Sequence, residues 1–277
     1  MPKIGLSLQS NYPANAAFFP LLRDIGFRAI SPFWSSVNDL KDTVDTAAAC
    51  GLTLQSLHGS YQGLTGMWNR DKALSTPIFQ ALSNGVEACA AFGIPILVVH
   101  AWGGFDCTFD AASLYFSNFD RLVAHAQREN VQIAFENLQG TDYLAALMDR
   151  YQNVDSVGFC WDSGHELCYS PHLDLLGAYG DRLIMTHLND NNGITRPDGQ
   201  IQGVDDLHLL PHDGIADWAD NIRRLKNAKK QEILNFELKI RPKGDRCILD
   251  LYSKLPLEQY LADAYQRAAD LARIYFT

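Results

Sequence analysis

Short apolar or β-branched runs alternate with amphipathic helical patterns along the whole chain. Eight runs have the length and composition of buried strands, at 3–8, 28–32, 52–58, 95–100, 131–136, 156–162, 182–188 and 232–238. The segments between them repeat apolar residues at helical spacing, as from Leu257 to Tyr275. Gly26, Gly51 and Gly93 each lie between a helical pattern and the next strand, where helices often end in a left-handed residue. The pattern therefore predicts repeated βα units and a parallel sheet.

Polar residues at the strand ends favour a closed barrel over an open sheet. A histidine or a carboxylate lies at or next to the end of six predicted strands: His58, His100, Glu136, Asp162, His187 and Glu237. In an open sheet, six strands in sequential order would spread these groups over roughly 24 Å. Closing the sheet brings them to one C-terminal mouth, where barrels of this kind carry out their chemistry. We therefore predict an α/β fold, a single (β/α)₈ TIM barrel over residues 1–277.

Composition and charge exclude several classes of protein. The chain has 277 residues, of which 47% are hydrophobic and 20% charged, as in ordinary globular proteins. No run approaches the ~20 apolar residues of a membrane span and the start has no signal-peptide pattern, so we expect no membrane partner and a cytoplasmic location. A net charge of −9 disfavours a general attraction to nucleic acid. The six cysteines form no CxxC pair and are expected to be reduced thiols: Cys50, Cys89, Cys107, Cys160, Cys168 and Cys247.

Three of the strand-end residues are carboxylates, Glu136, Asp162 and Glu237. Each alone could form a salt bridge or cap a helix, but burying three negative charges together is prohibitive without a cation. With His187 they form an oxygen-rich set with one imidazole, which suits Mn²⁺, Mg²⁺ or Co²⁺, and Zn²⁺ as histidines are added. The sequence therefore predicts one divalent metal held by these four residues.

Histidines are concentrated at the same end of the predicted barrel. Of the eight in the chain, five lie at the C-terminal ends of predicted strands or in the loops just beyond: His58, His100, His165, His187 and His208. A single histidine at such a position is more often structural than functional. Histidines placed at random, however, would not be concentrated at the same end of successive strands. His125 and His172 are interpreted as structural, and His212 is left undecided.

The strand-end residues belong to a series of short motifs in a fixed order. They are Glu136-Asn137, Asp162-Ser163-Gly164-His165, His187-Leu188-Asn189-Asp190, Asp206-Leu207-His208 with Pro211, Gly214 and Trp218, and Phe236-Glu237. Over nearly the whole chain, this series resembles the xylose-isomerase-like TIM-barrel superfamily of sugar and sugar-phosphate isomerases and epimerases, which also contains endonuclease IV. In its ketose 3-epimerase branch, the residues matching Glu136, Asp162, His187 and Glu237 hold one divalent metal. The resemblance further implies that the two glutamates exchange the substrate proton and that His165 binds substrate.

The endonuclease branch supplies an alternative. There nine ligands hold three zinc ions, and this chain can provide all nine: His58, His100, Glu136, Asp162, His165, His187, Asp206, His208 and Glu237. The segment Pro211-His212-Asp213-Gly214 departs from the Pro-Gly-x-Gly usual in this loop. The departure leaves open the conformation of the loop and the role of His208.

The charge of the predicted loops favours a sugar over DNA. Segments 100–112, 136–142 and 162–174 contain no Lys or Arg, and 187–217 contains only Arg196, whereas a DNA enzyme must neutralise several phosphates. The loops instead carry aromatic residues that suit stacking on a sugar ring, stacking on a base or a hydrophobic lid: Trp34, Tyr61, Trp68, Trp102, Phe105 and Tyr169. A basic cluster after the last strand could bind a substrate phosphate, although such clusters are more often solvated: Lys239, Arg241, Lys243 and Arg246.

Together with the resemblance, these observations predict a metal-dependent sugar or sugar-phosphate isomerase or epimerase. Glu136 or Glu237 would take a proton from the carbon next to a carbonyl, giving an enediolate. The residues predicted to contact substrate are His58, His100, Trp102, His165, Asp206 and His208. The expected partner is a small sugar or sugar phosphate, and the resemblance allows a homo-oligomer. The alternatives are an endonuclease IV-like zinc enzyme that cleaves at abasic sites, and a barrel that binds a sugar or a metal without turnover.

Overall fold

The computed structural model describes residues 3–8, 12, 17–106, 108–240, 252 and 254–277, which alternate between strands and helices. The strands are β1 (Lys3–Leu8), β2 (Ala29–Pro32), β3 (Thr53–Leu54), β4 (Leu57–His58), β5 (Ile96–His100), β6 (Gln132–Glu136), β7 (Val157–Asp162), β8 (Leu183–His187) and β9 (Ile233–Phe236). The α-helices are α1 (Phe18–Ile25), α2 (Val37–Ala49), α3 (Lys72–Phe92), α4 (Ser117–Arg128), α5 (Thr141–Arg150), α6 (Ser163–Tyr169), α7 (Leu175–Tyr179), α8 (Trp218–Asn227) and α9 (Leu257–Phe276). Short 3₁₀ turns lie at Leu64–Trp68, Ala111–Ser113, Gly180–Arg182 and Gly203–Asp205.

The strands form two parallel sheets that join into a closed barrel. Their orders are β3-β2-β1-β9 and β4-β5-β6-β7-β8. Parallel bridges link the sheets at both edges, between Phe33 and His58 and between Leu188 and Phe236. The amide of Glu237 continues the second junction by donating to Leu188 O at 3.1 Å. The predicted TIM barrel is therefore confirmed, and the carboxyl ends of the strands meet at one mouth.

The third predicted strand, 52–58, is wrong in detail, because the chain forms two short strands there. β3 pairs with β2, whereas β4 pairs with β5. The change of partner falls at Gln55 and Ser56, which lie between the two sheets and are buried at 7% and 0% exposure. The other seven predicted strands agree with the observed ones to within two residues at each end.

The core lies mainly between the barrel and its helices. The predicted C-terminal helix is confirmed as α9, which packs on α1, α8 and β1 and buries its apolar face, including Leu261, Ala268 and Leu271. A smaller apolar cluster fills part of the barrel interior: Ile96, Val98, Ala134, Cys160 and Met185. The glycines predicted to end helices have positive φ, as at Gly51 (70°) and Gly93 (67°). The apolar packing of the helices on the barrel thus holds in place the strands whose ends carry the polar side chains.

Two expectations from composition can be checked on the described part of the chain. Cys50, Cys89, Cys160 and Cys168 are free thiols there, whereas Cys107 and Cys247 lie outside it. None of the helices in the described residues has both the length and the apolar character needed to cross a membrane.

Candidate metal centre

Four strand ends bring the predicted metal ligands together. Glu136 ends β6, Asp162 ends β7, His187 ends β8, and Glu237 follows β9 directly. One ligand atom from each lies within 4.8 Å of the others, and all four residues are buried. His187 Nδ1 lies 2.9 Å from Glu136 Oε1 and 2.7 Å from Glu237 Oε2. The closed barrel therefore places these four side chains at one point of the mouth.

The chemistry of this four-residue centre fits a divalent cation. Three of its side chains are carboxylates, and Glu136 and Asp162 are both 0% exposed. Glu136 Oε2 is buried without a hydrogen-bond partner among the described residues. Carboxylates confined in this way need a positive charge, and three oxygen donors with one imidazole are a usual ligand set for such a cation.

A second group lies on the other side of Glu136. The Nε2 atoms of His58 and His100 are 3.4 Å and 3.3 Å from Glu136 Oε2, and 3.1 Å from each other. Aromatic rings support both imidazoles, since Phe33 stacks on His58 with centroids 4.2 Å apart and Tyr61 stacks on His100 at 5.8 Å. Both histidines therefore lie in the mouth, as predicted.

A third group surrounds Asp206. Its Oδ1 lies 2.7 Å from His208 Nε2 and 3.3 Å from His165 Nε2. Its Oδ2 lies 3.6 Å from Nζ of Lys239. Tyr169 stacks on His165 with centroids 5.6 Å apart. The structure thus brings together all nine residues that the sequence predicted as possible ligands. Two of the three groups share Glu136, and the third lies beside it, since His165 Nδ1 is 3.4 Å from Glu136 Oε1.

Burial and neighbouring charges shift the pKa values of the carboxyl groups and imidazoles in the mouth, some upwards and some downwards. Burial is the largest single effect and would raise the pKa values of Glu136 and Glu237, but the charge of His187 and contacts with further histidines together outweigh it, and both pKa values lie well below their usual values. Burial raises the pKa of Asp162 to about 6. Burial would lower the pKa values of His165 and His187, yet neighbouring acidic groups raise both well above the usual value. These directions favour protonated His165 and His187 beside ionised Glu136 and Glu237.

Two asparagines orient Asp162, although their positions within the short motifs did not predict this role. Asn189 Nδ2 lies 3.0 Å from each carboxylate oxygen of Asp162. Asn137 donates to Asp162 O and accepts from Asp162 N, both at 2.8 Å. Asp162 also caps α6 by accepting from His165 N at 2.7 Å. The available signal was an amide one or two residues after a candidate ligand, as in Glu136-Asn137 and His187-Leu188-Asn189.

The loop with the unusual sequence is held by Asp190, which is fully buried. Its carboxylate accepts from His212 N at 2.9 Å, Ala216 N at 3.0 Å and Trp218 Nε1 at 2.9 Å. His212 has φ of 74° and His208 has φ of 51°, both in the left-handed region. Histidine therefore adopts at position 212 a conformation that glycine adopts without strain. The loop keeps its turn, and His208 remains in the mouth.

Trp102 lies beside the mouth. Its ring stacks on Tyr143, with centroids 4.0 Å apart and an angle of 15°. Both residues line a side cavity of about 690 Å³ together with Trp68 and Arg70. Among the other predicted aromatic residues, Tyr61 is 52% exposed. Of the predicted basic cluster, Arg241, Lys243 and Arg246 lie outside the described residues.

Comparison with known proteins gives the family. A family profile described as xylose isomerase-like TIM barrel matches residues 19–268. The uncharacterized protein y4fM of Sinorhizobium fredii is 35% identical over 225 residues, which are 73% of this chain and 66% of that protein. The chain thus spans slightly less than two thirds of the length of this curated relative.

Solved structures agree with the barrel. The IOLI protein, crystallised with a zinc atom, is 17% identical with a TM-score of 0.74, and the match covers 99% of both chains. The 3-keto-D-glucoside 4-epimerase YcjR from E. coli is 16% identical with a TM-score of 0.72, over 97% of this chain and all of that one. At such identities these structures show the fold alone. With the profile match over most of its length, the chain belongs to the xylose isomerase-like TIM barrel family.

Proposed function

We propose that the protein is a divalent-metal-dependent sugar or sugar-phosphate isomerase or epimerase. The observation that carries the proposal is the approach of Glu136 and Glu237 to the same nitrogen of His187, at 2.9 Å and 2.7 Å, from strands on either side of β7 and β8. Two carboxylates that meet at one position in the mouth can exchange a proton with a substrate bound beside them. The name of YcjR, an epimerase of a keto sugar, and the zinc atom of the IOLI protein support this class of reaction.

Glu136, Asp162, His187 and Glu237 would hold the cation. The chemistry supplied by a divalent cation in such a site is the stabilisation of negative charge on a substrate oxygen while the neighbouring C–H bond loses its proton. All four ligands are at most 4% exposed. Charge stabilisation is stronger in such a water-poor site than in solvent.

Glu136 and Glu237 would move the proton. Their depressed pKa values keep both side chains ionised at neutral pH, so either can act as the base. One glutamate would remove the proton next to the carbonyl, and the same or the other glutamate would return it. Return to the same carbon gives an epimer, whereas return to the neighbouring carbon gives an isomer.

The remaining mouth residues would orient the sugar. His165, Asp206 and His208 form one polar wall and His58 and His100 another, and both walls offer hydrogen-bonding groups to hydroxyls. Trp102 would meet only a substrate that extends into the side cavity.

The test is hydrogen exchange with solvent. The protein, loaded with Mn²⁺ or Co²⁺, is incubated in D₂O with a panel of ketoses and ketose phosphates, and loss of the C–H signal next to the carbonyl is followed by NMR. We expect exchange with at least one sugar even where net conversion is slow, because proton removal precedes product formation. Absence of exchange across the panel, with metal confirmed in the protein, would contradict the proposal.

A second candidate is a zinc-dependent endonuclease acting at abasic sites. It is favoured by the three groups of ligand atoms, each within 4.8 Å: His58, His100 and Glu136; Glu136, Asp162, His187 and Glu237; His165, Asp206 and His208. The scarcity of Lys and Arg in segments 100–112, 136–142 and 162–174 disfavours it. We expect no incision of abasic duplex DNA by the zinc-loaded protein. Efficient incision without sugar exchange would establish this candidate in place of the first.

A further inference from the structure

The group around Asp206 has the geometry of a metal site. The Nδ1 atoms of His165 and His208 each lie 3.0 Å from a backbone carbonyl oxygen, those of Asn137 and Glu237. Such contacts fix the orientation of an imidazole and leave Nε2 for a ligand. Both Nε2 atoms point towards Asp206 Oδ1, at 3.3 Å and 2.7 Å. From these three side chains alone, a second metal would be expected here.

Lys239 changes this expectation. Its Nζ lies 3.6 Å from the other carboxylate oxygen of Asp206, and the two side chains are 19% and 7% exposed. Its backbone is fixed as well, because Lys239 N donates to His208 O at 3.0 Å. Lys239, three residues after the end of β9, therefore places its ammonium close to the carboxylate that a metal would need.

We propose that Lys239 occupies the cationic place beside Asp206 and keeps the His165–Asp206–His208 group free of metal. A cation on Oδ1 and an ammonium on Oδ2 would share one carboxylate, and like charges this close repel strongly where little water screens them. The group is then a latent metal site that serves to bind substrate hydroxyls, and the three-metal arrangement of the endonuclease candidate is not available. The substrate-binding role rests on the proposed function, whereas the exclusion of metal does not.

The test compares Lys239→Met, which removes the charge at similar length, with Lys239→Arg, which keeps it. Each protein is stripped, titrated with Co²⁺ and followed by visible absorption, and the bound metal is counted by elemental analysis. We expect Lys239→Met to bind one more equivalent of Co²⁺ than the parent protein. The affinity of this additional site should be on the order of 100-fold higher in the variant than in the parent. Lys239→Arg should match the parent. The double variant Lys239→Met with His208→Ala should lose the extra equivalent, which assigns it to this group.

Anomalous scattering from zinc-soaked crystals of the parent and of Lys239→Met gives the positions of the ions. An ion between His165, Asp206 and His208 in the parent would overturn the inference, even if the variants did not fold. Failure of the folded Lys239→Met protein to gain metal would overturn it as well. Neither result depends on sugar exchange by the parent, so failure of the inference and failure of the proposed function are distinguishable.

Discussion

Asn189 holds Asp162 through both of its carboxylate oxygens, with Nδ2 at 3.0 Å from each. The asparagine is itself fixed, because Ser163 Oγ donates to Asn189 O at 2.8 Å and accepts from Asn189 N at 3.0 Å. These contacts connect the ends of β7 and β8. Hydrogen bonds from the protein itself therefore orient Asp162.

Replacing Asn189 by Ala should weaken metal binding. The change removes the donor that orients Asp162, and loss of such a supporting contact typically costs about 10-fold to 100-fold in metal affinity. Titration against a chelating dye measures the affinity. Asn227→Ala, on the exposed end of α8, is the matched control and should bind metal as the parent does. Equal affinities of the Asn189 variant and the parent would show that Asp162 does not need this support or is not a ligand.

Glu136→Gln and Glu237→Gln test the proton transfer. Glutamine keeps an oxygen that can touch the metal but cannot act as a base, so sugar exchange should fall by at least about 100-fold in each variant. His125→Ala is the control, because this imidazole contacts Ser83 between α3 and α4, outside the mouth. Similar losses in all three variants would mean that the mouth is not where the chemistry occurs.

Removal of the metal should destabilise the fold. The buried carboxylates Glu136, Asp162 and Glu237 repel one another without a cation, and a metal that binds only the folded state adds about 3 kcal/mol at 100 times its Kd. We therefore expect a chelator to lower Tm by several degrees and added Mn²⁺ or Co²⁺ to restore it. Chelator already saturated with metal is the control. An unchanged Tm in protein shown to be metal-free would be incompatible with the four-residue centre.

Much of the mouth could be predicted because parallel strands place their carboxyl ends at one edge. Glu136, Asp162 and His187 follow this rule directly, since each ends its own strand. The pairing of Lys239 with Asp206 could not be predicted, because it depends on how the long connection from β8 to β9 folds back. That connection is fixed by distant contacts, such as the antiparallel bridge between Asp190 and Leu209.

The local sequence pattern also does not show where a strand changes its pairing partner or which way a side chain points. The run 52–58 looks continuous in sequence, and only the change of neighbours at Gln55 divides it. Trp102 follows a mouth strand closely, yet its ring packs on Tyr143 in α5. Tertiary packing decides which strand the chain pairs with in the first case and where the side chain points in the second. The spacing of apolar residues carries no signal of either.

Metal affinity should rise with pH, and it should rise more steeply below about pH 6 than above it. The raised pKa of His187 means that metal must displace a proton from it at neutral pH, and Asp162 takes up a second proton below its pKa of about 6. Metal ligands must be deprotonated, so binding should release about one proton above pH 6 and about two below. Calorimetry in buffers of different ionisation enthalpy counts these protons. Affinity that does not change between pH 5 and pH 8 would contradict the assignment of these two ligands.

His212→Gly should stabilise the protein. His212 has φ of 74°, its backbone amide is held by Asp190, and its side chain is exposed. The left-handed conformation costs roughly 1–2 kcal/mol for a residue with a Cβ and nothing for glycine. Glycine also adds entropy to the unfolded chain, which offsets about 0.5–1 kcal/mol of this relief. The expected net gain is about 0.5–1 kcal/mol in the free energy of unfolding, measured by urea denaturation.

The matched control is His172→Gly, the same exchange at an exposed position that does not have positive φ. There glycine brings only its entropic cost, so the free energy of unfolding should fall by about 0.5–1 kcal/mol. The two variants should therefore move in opposite directions from the parent. A decrease at position 212 as large as that at position 172 would mean that the backbone of His212 is not strained, and that histidine fits this loop as well as glycine does.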